Sequence, residues 1–211
     1  MNELSDPAKS TFWSRIPPVF QAVILFIITI WVVEIVDSVV LGERLQANGI
    51  GPRRVDGLDG ILWAPFLHGG WRHLVSNTFP FALLGGLVAL RGARYWFTTF
   101  AIVVLLGGGL TWLFAGGSNH IGASGVVFGF FGSLIGAAIF ERRLAAGASA
   151  LVAIMLYGGI IRGLAPQPGI SWEGHLFGVL AGLVAAKILA EAREPRRQLP
   201  EPPLDDPYWD V

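Results

Sequence analysis

The chain has 211 residues, of which 53% are hydrophobic and only 14% charged, well under the roughly 25% charge of soluble domains. Its 15 basic and 15 acidic residues cancel, and it contains no cysteine. A zero net charge gives no electrostatic case for nucleic-acid binding, and the lack of cysteine excludes disulfides, thiol catalysis and Cys-ligated metals.

Apolar runs near the roughly 20 residues that cross a bilayer predict an all-α polytopic membrane protein with six spans. A polar segment, residues 1–16, precedes them. The first span, Val19–Leu41, follows Lys9 and Arg15 as a signal peptide would. Its apolar run is too long for one, and no small-x-small cleavage site follows, so it reads as a retained helix. Glu34 and Asp37 lie near its outer end with no evident partner. The loop from Gly42 to Trp71 mixes charges and glycines with Ile61, Leu62, Trp63 and Phe66. It is expected to dip into the membrane interface, with Trp71 as an interfacial anchor.

The second span, Leu74–Leu90, opens with polar residues. His73 and Asn77 are four apart and share a helical face, and His68 stands just upstream. The third span is Tyr95–Phe114. His120, in the loop after it, reads as exposed. The fourth span, Gly122–Phe140, opens on Gly122-Ala123-Ser124-Gly125. The fifth, Leu144–Leu164, is interrupted by Gly147, Gly158 and Gly159. The sixth, Trp172–Leu189, carries His175 near its start. The membrane domain is placed at 17–190, followed by a Pro-rich tail, 191–211, that cannot bury a core and is expected to be disordered.

Lys and Arg set the orientation. With six spans and the N-terminus inside, the inner segments hold Lys9, Arg15, Arg91, Arg94, Arg142, Arg143, Lys187, Arg193, Arg196 and Arg197. The outer ones hold only Arg44, Arg53, Arg54, Arg72 and Arg162. Both termini are therefore expected in the cytoplasm. Spans two, four and six then run in one direction, and their N-terminal ends share the outer side.

That parity brings His73, Asn77, Ser124 and His175 to one depth. A serine hydroxyl needs a base to take its proton, and neutral imidazole is suited to that near neutral pH. His175 is the histidine on a different helix at matching depth. Gly174, Gly178 and Gly182 on span six face a similar low ridge of Gly122, Gly125, Gly129 and Gly132 on span four, so the two helices can approach closely. Backbone N–H groups at the start of span four, with the side chains of His73 and Asn77, can hold an oxyanion. Glu173 lies on a different face from His175, so the reading is a Ser–His dyad with no third member. Three other readings stay open on the residues alone. Ser124 could serve only helix packing. His68, His73 and His175 could ligate a metal, although no carboxylate joins them. Glu34 and Asp37 could mark an ion path, although no acid on another span faces them.

The combination of His68-x4-His73-x3-Asn77, Gly122-Ala-Ser124-Gly125 and Gly174-His175-x-x-Gly178 resembles the rhomboid family of intramembrane serine proteases. The resemblance covers about residues 17–190. It implies a six-helix bundle with a central fourth helix and a water-filled cavity open to the outside. It implies Ser124 as nucleophile, His175 as general base, and His73, Asn77 and the Ser124 backbone as oxyanion donors. His68 would hold the first loop, and Phe128 would stack on His175 where tyrosine often stands in the family. Gly122, Gly125, Gly174 and Gly178 would support the site. The implied partners are single-span membrane proteins, cut near the outer surface at small residues beside a helix-destabilising segment, together with membrane lipid. No cofactor or metal is implied. The economy of the chain suggests the basic bacterial form, in the inner membrane. A rival is a non-catalytic rhomboid-like protein that binds membrane clients; such relatives usually lack the serine or the histidine. A channel or transporter would need polar residues through the whole bilayer, whereas here they gather at one end.

Overall fold

A computed structural model describes residues 12–193 apart from 118 and 168. The expected disordered tail and most of the N-terminal segment lie outside the described residues. Among those described there is no β-strand, and one antiparallel bridge joins Ile50 to His120.

Helix α1, Pro18–Val36, starts on a proline whose fixed φ suits a first turn and continues through a wider π turn to Leu41. It buries Val19, Val23, Phe26, Ile30 and Glu34, a stripe at helical spacing. Ile24, Leu25, Ile28, Val32, Ile35 and Val36 are exposed, as on a lipid-facing helix. Phe26 stacks on Phe81 of the helix Trp71–Ala89, with ring centroids 4.2 Å apart. The two acids left without partners by the sequence reading hold the exit from α1. Both are buried. Asp37 accepts the Leu45 N–H on Oδ1 at 2.9 Å and the Glu43 N–H on its carbonyl at 3.0 Å. Glu34 accepts from the Ser38 hydroxyl.

The long loop is built from short helical turns, including α2, Gly60–Trp63. It buries Ile50, Ala64 and Leu67 and leaves Val55, Leu58, Leu62 and Trp63 exposed. That exposed apolar edge fits an interfacial position.

Helix α3, Trp71–Ala89, starts three residues before its expected span. A third span follows as α4, Ala93–Ile102, a π turn Val103–Gly107, and α5, Gly108–Phe114. Then come α6, Ser124–Glu141, and α7, Leu144–Tyr157. Helix α7 tightens into 3-10 turns over Gly158–Leu164, where the glycines interrupt the apolar run. The last helix, α8, is Trp172–Glu191. Among the described residues, five spans are long and apolar enough to cross a membrane: Pro18–Leu41, Ala93–Phe114, Ser124–Glu141, Leu144–Leu164 and Trp172–Glu191. Helix α3 is the least apolar of the expected six, because its first turns carry Arg72, His73, Ser76, Asn77 and Thr78. At ~1.5 Å per residue its 19 residues are about 28 Å long.

Helix α6 is the core of the bundle, with 61% of its span buried against 17% for Leu144–Leu164. It lies against α8 at backbone contact. A Cβ on Gly178 would stand 2.3 Å from the Gly125 carbonyl oxygen, and one on Gly182 would stand 2.0 Å from that of Gly129. Without side chains at these points the helices close together, and their N-terminal ends meet. At the opposite end an ion-pair cluster ties the bundle. Arg91 pairs with buried Glu141, which also binds Arg193 at 3.1 Å. Arg91 lies over the Tyr95 ring, 4.4 Å from its centroid.

Candidate active site

The turn before α6 places Ser124. The expected span began at Gly122, but the helix begins two residues later, because Gly122 has φ +108°, a conformation open to glycine and costly for other residues. The turn is pinned to the long loop. The Gly122 N–H donates to the Ala64 carbonyl at 2.9 Å, and the Ala123 N–H donates to His68 Nε2 at 3.4 Å. The first helical bond of α6 runs from the Val127 N–H to the Ala123 carbonyl. The N–H groups of Ser124, Gly125 and Val126 therefore have no partner within the helix.

His175 is the fourth residue of α8, and its Nε2 is 2.8 Å from Ser124 Oγ. Its Nδ1 is 2.8 Å from the carbonyl oxygen of Gly163. A carbonyl only accepts, so Nδ1 carries the proton and Nε2 presents its lone pair to the serine hydroxyl. The Phe128 ring stacks on the imidazole at 4.1 Å between centroids, 8° from parallel. Gly163 comes close because it has no side chain: a Cβ there would stand 2.8 Å from Phe128 Cζ and 3.1 Å from His175 Nδ1.

On the other side of Ser124 stands α3. The Gly69 N–H donates to His73 Nδ1 at 3.2 Å, which leaves the ring proton on Nε2 as a donor. That Nε2 is 2.6 Å from where a Cβ on Gly122 would sit. Asn77 Nδ2 donates to the His73 carbonyl at 3.0 Å and lies 3.6 Å from the same Gly122 position. His73, Asn77, Ser124, Phe128 and His175 all line one open cavity of about 920 Å³. Two side-chain N–H donors and the first N–H groups of α6 thus border the serine.

His68 sits behind this turn, buried, edge-on to His73 with ring centroids 5.1 Å apart. Burial first, and then the neighbouring His73, push its pKa down to about 3. It is therefore a neutral imidazole that braces the Ala123 N–H. The imidazole lone pairs of His68 and His73 both receive backbone N–H bonds, which leaves neither turned toward a shared metal. Gly174 and Gly125 lie along the α6–α8 contact, the Gly174 carbonyl 3.7 Å from where a Cβ on Gly125 would stand.

Three residues near the dyad escaped the sequence reading. Gly163 contributes a backbone carbonyl. His120, expected to be exposed, is buried. Its Nδ1 meets Ser171 Oγ and its Nε2 lies 3.3 Å from the Gly116 carbonyl. Ser171 stands immediately before α8. Glu173 accepts the Gly116 N–H at 3.2 Å and borders the same cavity as Ser124 and His175. Trp71 is exposed, beside Trp31.

A family model described as Rhomboid domain matches residues 58–192. An uncharacterized protein of Mycobacterium tuberculosis (strain H37Rv) is 39% identical over 187 residues, covering 84% of this chain and 78% of its own length. An uncharacterized protein of Mycobacterium leprae is 36% identical over 197 residues, covering 88% and 77%.

Proposed function

The chain belongs to the rhomboid family of integral membrane proteases, and we propose that it is a serine endopeptidase that cleaves transmembrane proteins through a Ser124–His175 dyad. The observation that carries this reading is the 2.8 Å contact between Ser124 Oγ and His175 Nε2, with Gly163 holding the imidazole in the tautomer a general base needs.

In this mechanism Ser124 Oγ attacks the scissile carbonyl carbon while His175 Nε2 takes the hydroxyl proton. The carbonyl oxygen becomes an oxyanion and receives hydrogen bonds from His73 Nε2–H, Asn77 Nδ2–H and the Ser124 backbone N–H. The C–N bond then breaks, His175 returns its proton to the leaving amine, and Ser124 keeps the acyl group as an ester. Water entering through the open cavity gives a proton to His175 and adds to the ester carbon. Collapse releases the acid and restores the Ser124 hydroxyl. Gly163 stabilises the imidazolium in each half, taking the place of a triad carboxylate.

The substrates we propose are single-span membrane proteins, and the cut falls near the extracytoplasmic face where the cavity opens. The proposed setting is a bacterial inner membrane with both termini in the cytoplasm, as the excess of Lys and Arg on that side favours. The membrane domain is 17–190. The test is cleavage of a model single-span substrate by the purified protein in liposomes. Cleavage is expected from the wild type and not from Ser124→Ala or His175→Ala. Undiminished cleavage by Ser124→Ala would overturn the assignment.

A further inference from the structure

A second Ser–His pair lies beside the first, with His120 buried and Ser171 partly buried. His120 Nε2 faces the Gly116 carbonyl, which can only accept, so the ring proton is on Nε2. His120 Nδ1 is then the acceptor, and Ser171 Oγ–H donates to it. The backbone of His120 is held as well: its N–H donates to the Ile50 carbonyl at 3.0 Å, and its carbonyl accepts the Ile50 N–H at 2.9 Å. His120 is thus anchored to the long loop, four residues before Ser124.

Ser171 stands at the same remove from His175. The His175 N–H donates to the Ser171 carbonyl at 3.0 Å, so the first turn of α8, which carries the base, hangs from Ser171. Gly174 leaves room for the joint, because a Cβ there would stand 2.6 Å from Ser171 Oγ. The four side chains of the two pairs border one small cavity of about 50 Å³. The turn before the nucleophile and the turn before the base are therefore joined by one partly buried hydrogen bond. The α6–α8 glycine contact sets how close the helices lie.

We propose that His120 is a positioning residue that acts through Ser171 to hold His175 at hydrogen-bond reach of Ser124. The inference rests on the reading of Ser124 and His175 as the reacting pair. A displacement of about 1 Å in such a pair costs on the order of 10²-fold in rate.

The two contacts of the His120 ring can be separated. An Asn amide at 120 offers an acceptor at the Nδ1 position and keeps the bond from Ser171. A Gln amide reaches the Nε2 position and keeps only the Gly116 contact. The experiment measures kcat and KM for a model single-span substrate, and the rate of Ser124 labelling by a fluorophosphonate, alongside thermal unfolding in detergent. His120→Ala and Ser171→Ala are each expected to lower kcat by ~10- to 100-fold with KM near the wild-type value. His120→Asn should restore most of the loss and His120→Gln should not. The double variant should be no slower than either single one, as for two residues acting through one bond. Wild-type kcat in Ser171→Ala, which keeps its backbone and is expected to fold, would overturn the proposal and leave the dyad standing. Rescue by Gln rather than Asn would also overturn it. A wild-type protein that neither cleaves nor takes the probe at Ser124 would overturn both this proposal and the reading beneath it.

Discussion

The Nδ1–H of His175 is directed at the carbonyl oxygen of Gly163, 2.8 Å away. This backbone group, on the tight turn after α7, selects the tautomer and fixes the ring orientation. In the proposed mechanism it takes the part of a triad carboxylate and stabilises the imidazolium.

Gly163→Val is expected to disable the site without contacting substrate. Its Cβ would stand 2.8 Å from Phe128 Cζ and 3.1 Å from His175 Nδ1, so the stacked rings must move. The expected loss is ~10²-fold in kcat, read by cleavage of a model substrate and by the rate of Ser124 labelling. Wild-type rates in this variant would mean that the Gly163 carbonyl does not orient the base.

The proposed oxyanion donors should separate from the dyad kinetically. His73→Ala and Asn77→Ala are each expected to lower kcat by about 10²- to 10³-fold, with KM near wild type, because the donors bind charge that exists only in the transition state. A rise in KM alone would place either residue in ground-state binding.

His68 makes folding sensitive to acid. Its folded pKa of about 3 lies below the ordinary 6.5, so between these values the unfolded chain binds more protons than the folded one. Stability therefore falls as pH drops through that window, by at most ~1.4 kcal/mol per pH unit from this group. Unfolding temperatures in detergent should decline from pH 7 to pH 4, and less steeply in His68→Gln. Equal slopes for the two proteins would contradict the burial of a neutral His68.

The helix contact predicts opposite outcomes for two glycines. Gly182→Ala puts a methyl group 2.0 Å from the Gly129 carbonyl oxygen, and overpacking of this kind typically costs about 1–3 kcal/mol. Gly147→Ala meets nothing within 4 Å on α7 and should gain roughly 0.5–1 kcal/mol from helix propensity. Thermal unfolding of the two variants, measured against wild type, gives the comparison. A stabilised Gly182→Ala would contradict the α6–α8 approach.

The span pattern could be read from apolar length and helix parity, and the rhomboid fold from the resemblance that the His73, Ser124 and His175 motifs carry. The meeting of Ser124 with His175 was legible for the same reason: two glycine ridges and a shared direction leave few other arrangements. The start of α6 was misplaced because apolarity continues through Gly122 while its φ of +108° breaks the helix. Gly163 was invisible, since a backbone carbonyl leaves no signature in a sequence and its place depends on how α7 ends. His120 reads as solvent-facing beside Asn119, yet its partner Ser171 is more than fifty residues away, and only the fold joins them. Glu34 and Asp37 were legible as unusual acids in an apolar helix. Their use, holding the exit of α1 to the long loop, depends on a chain reversal at Gly42 and Glu43, both at positive φ.

The most direct test of the account is the site of covalent labelling by a fluorophosphonate, read by peptide mass spectrometry on the purified protein in detergent. The expected result is a single adduct on Ser124 that disappears in His175→Ala and persists, at a lower rate, in Asn77→Ala. An adduct on another serine, or labelling of Ser124 that is undiminished by His175→Ala, would contradict the claim that these two side chains form the reacting pair.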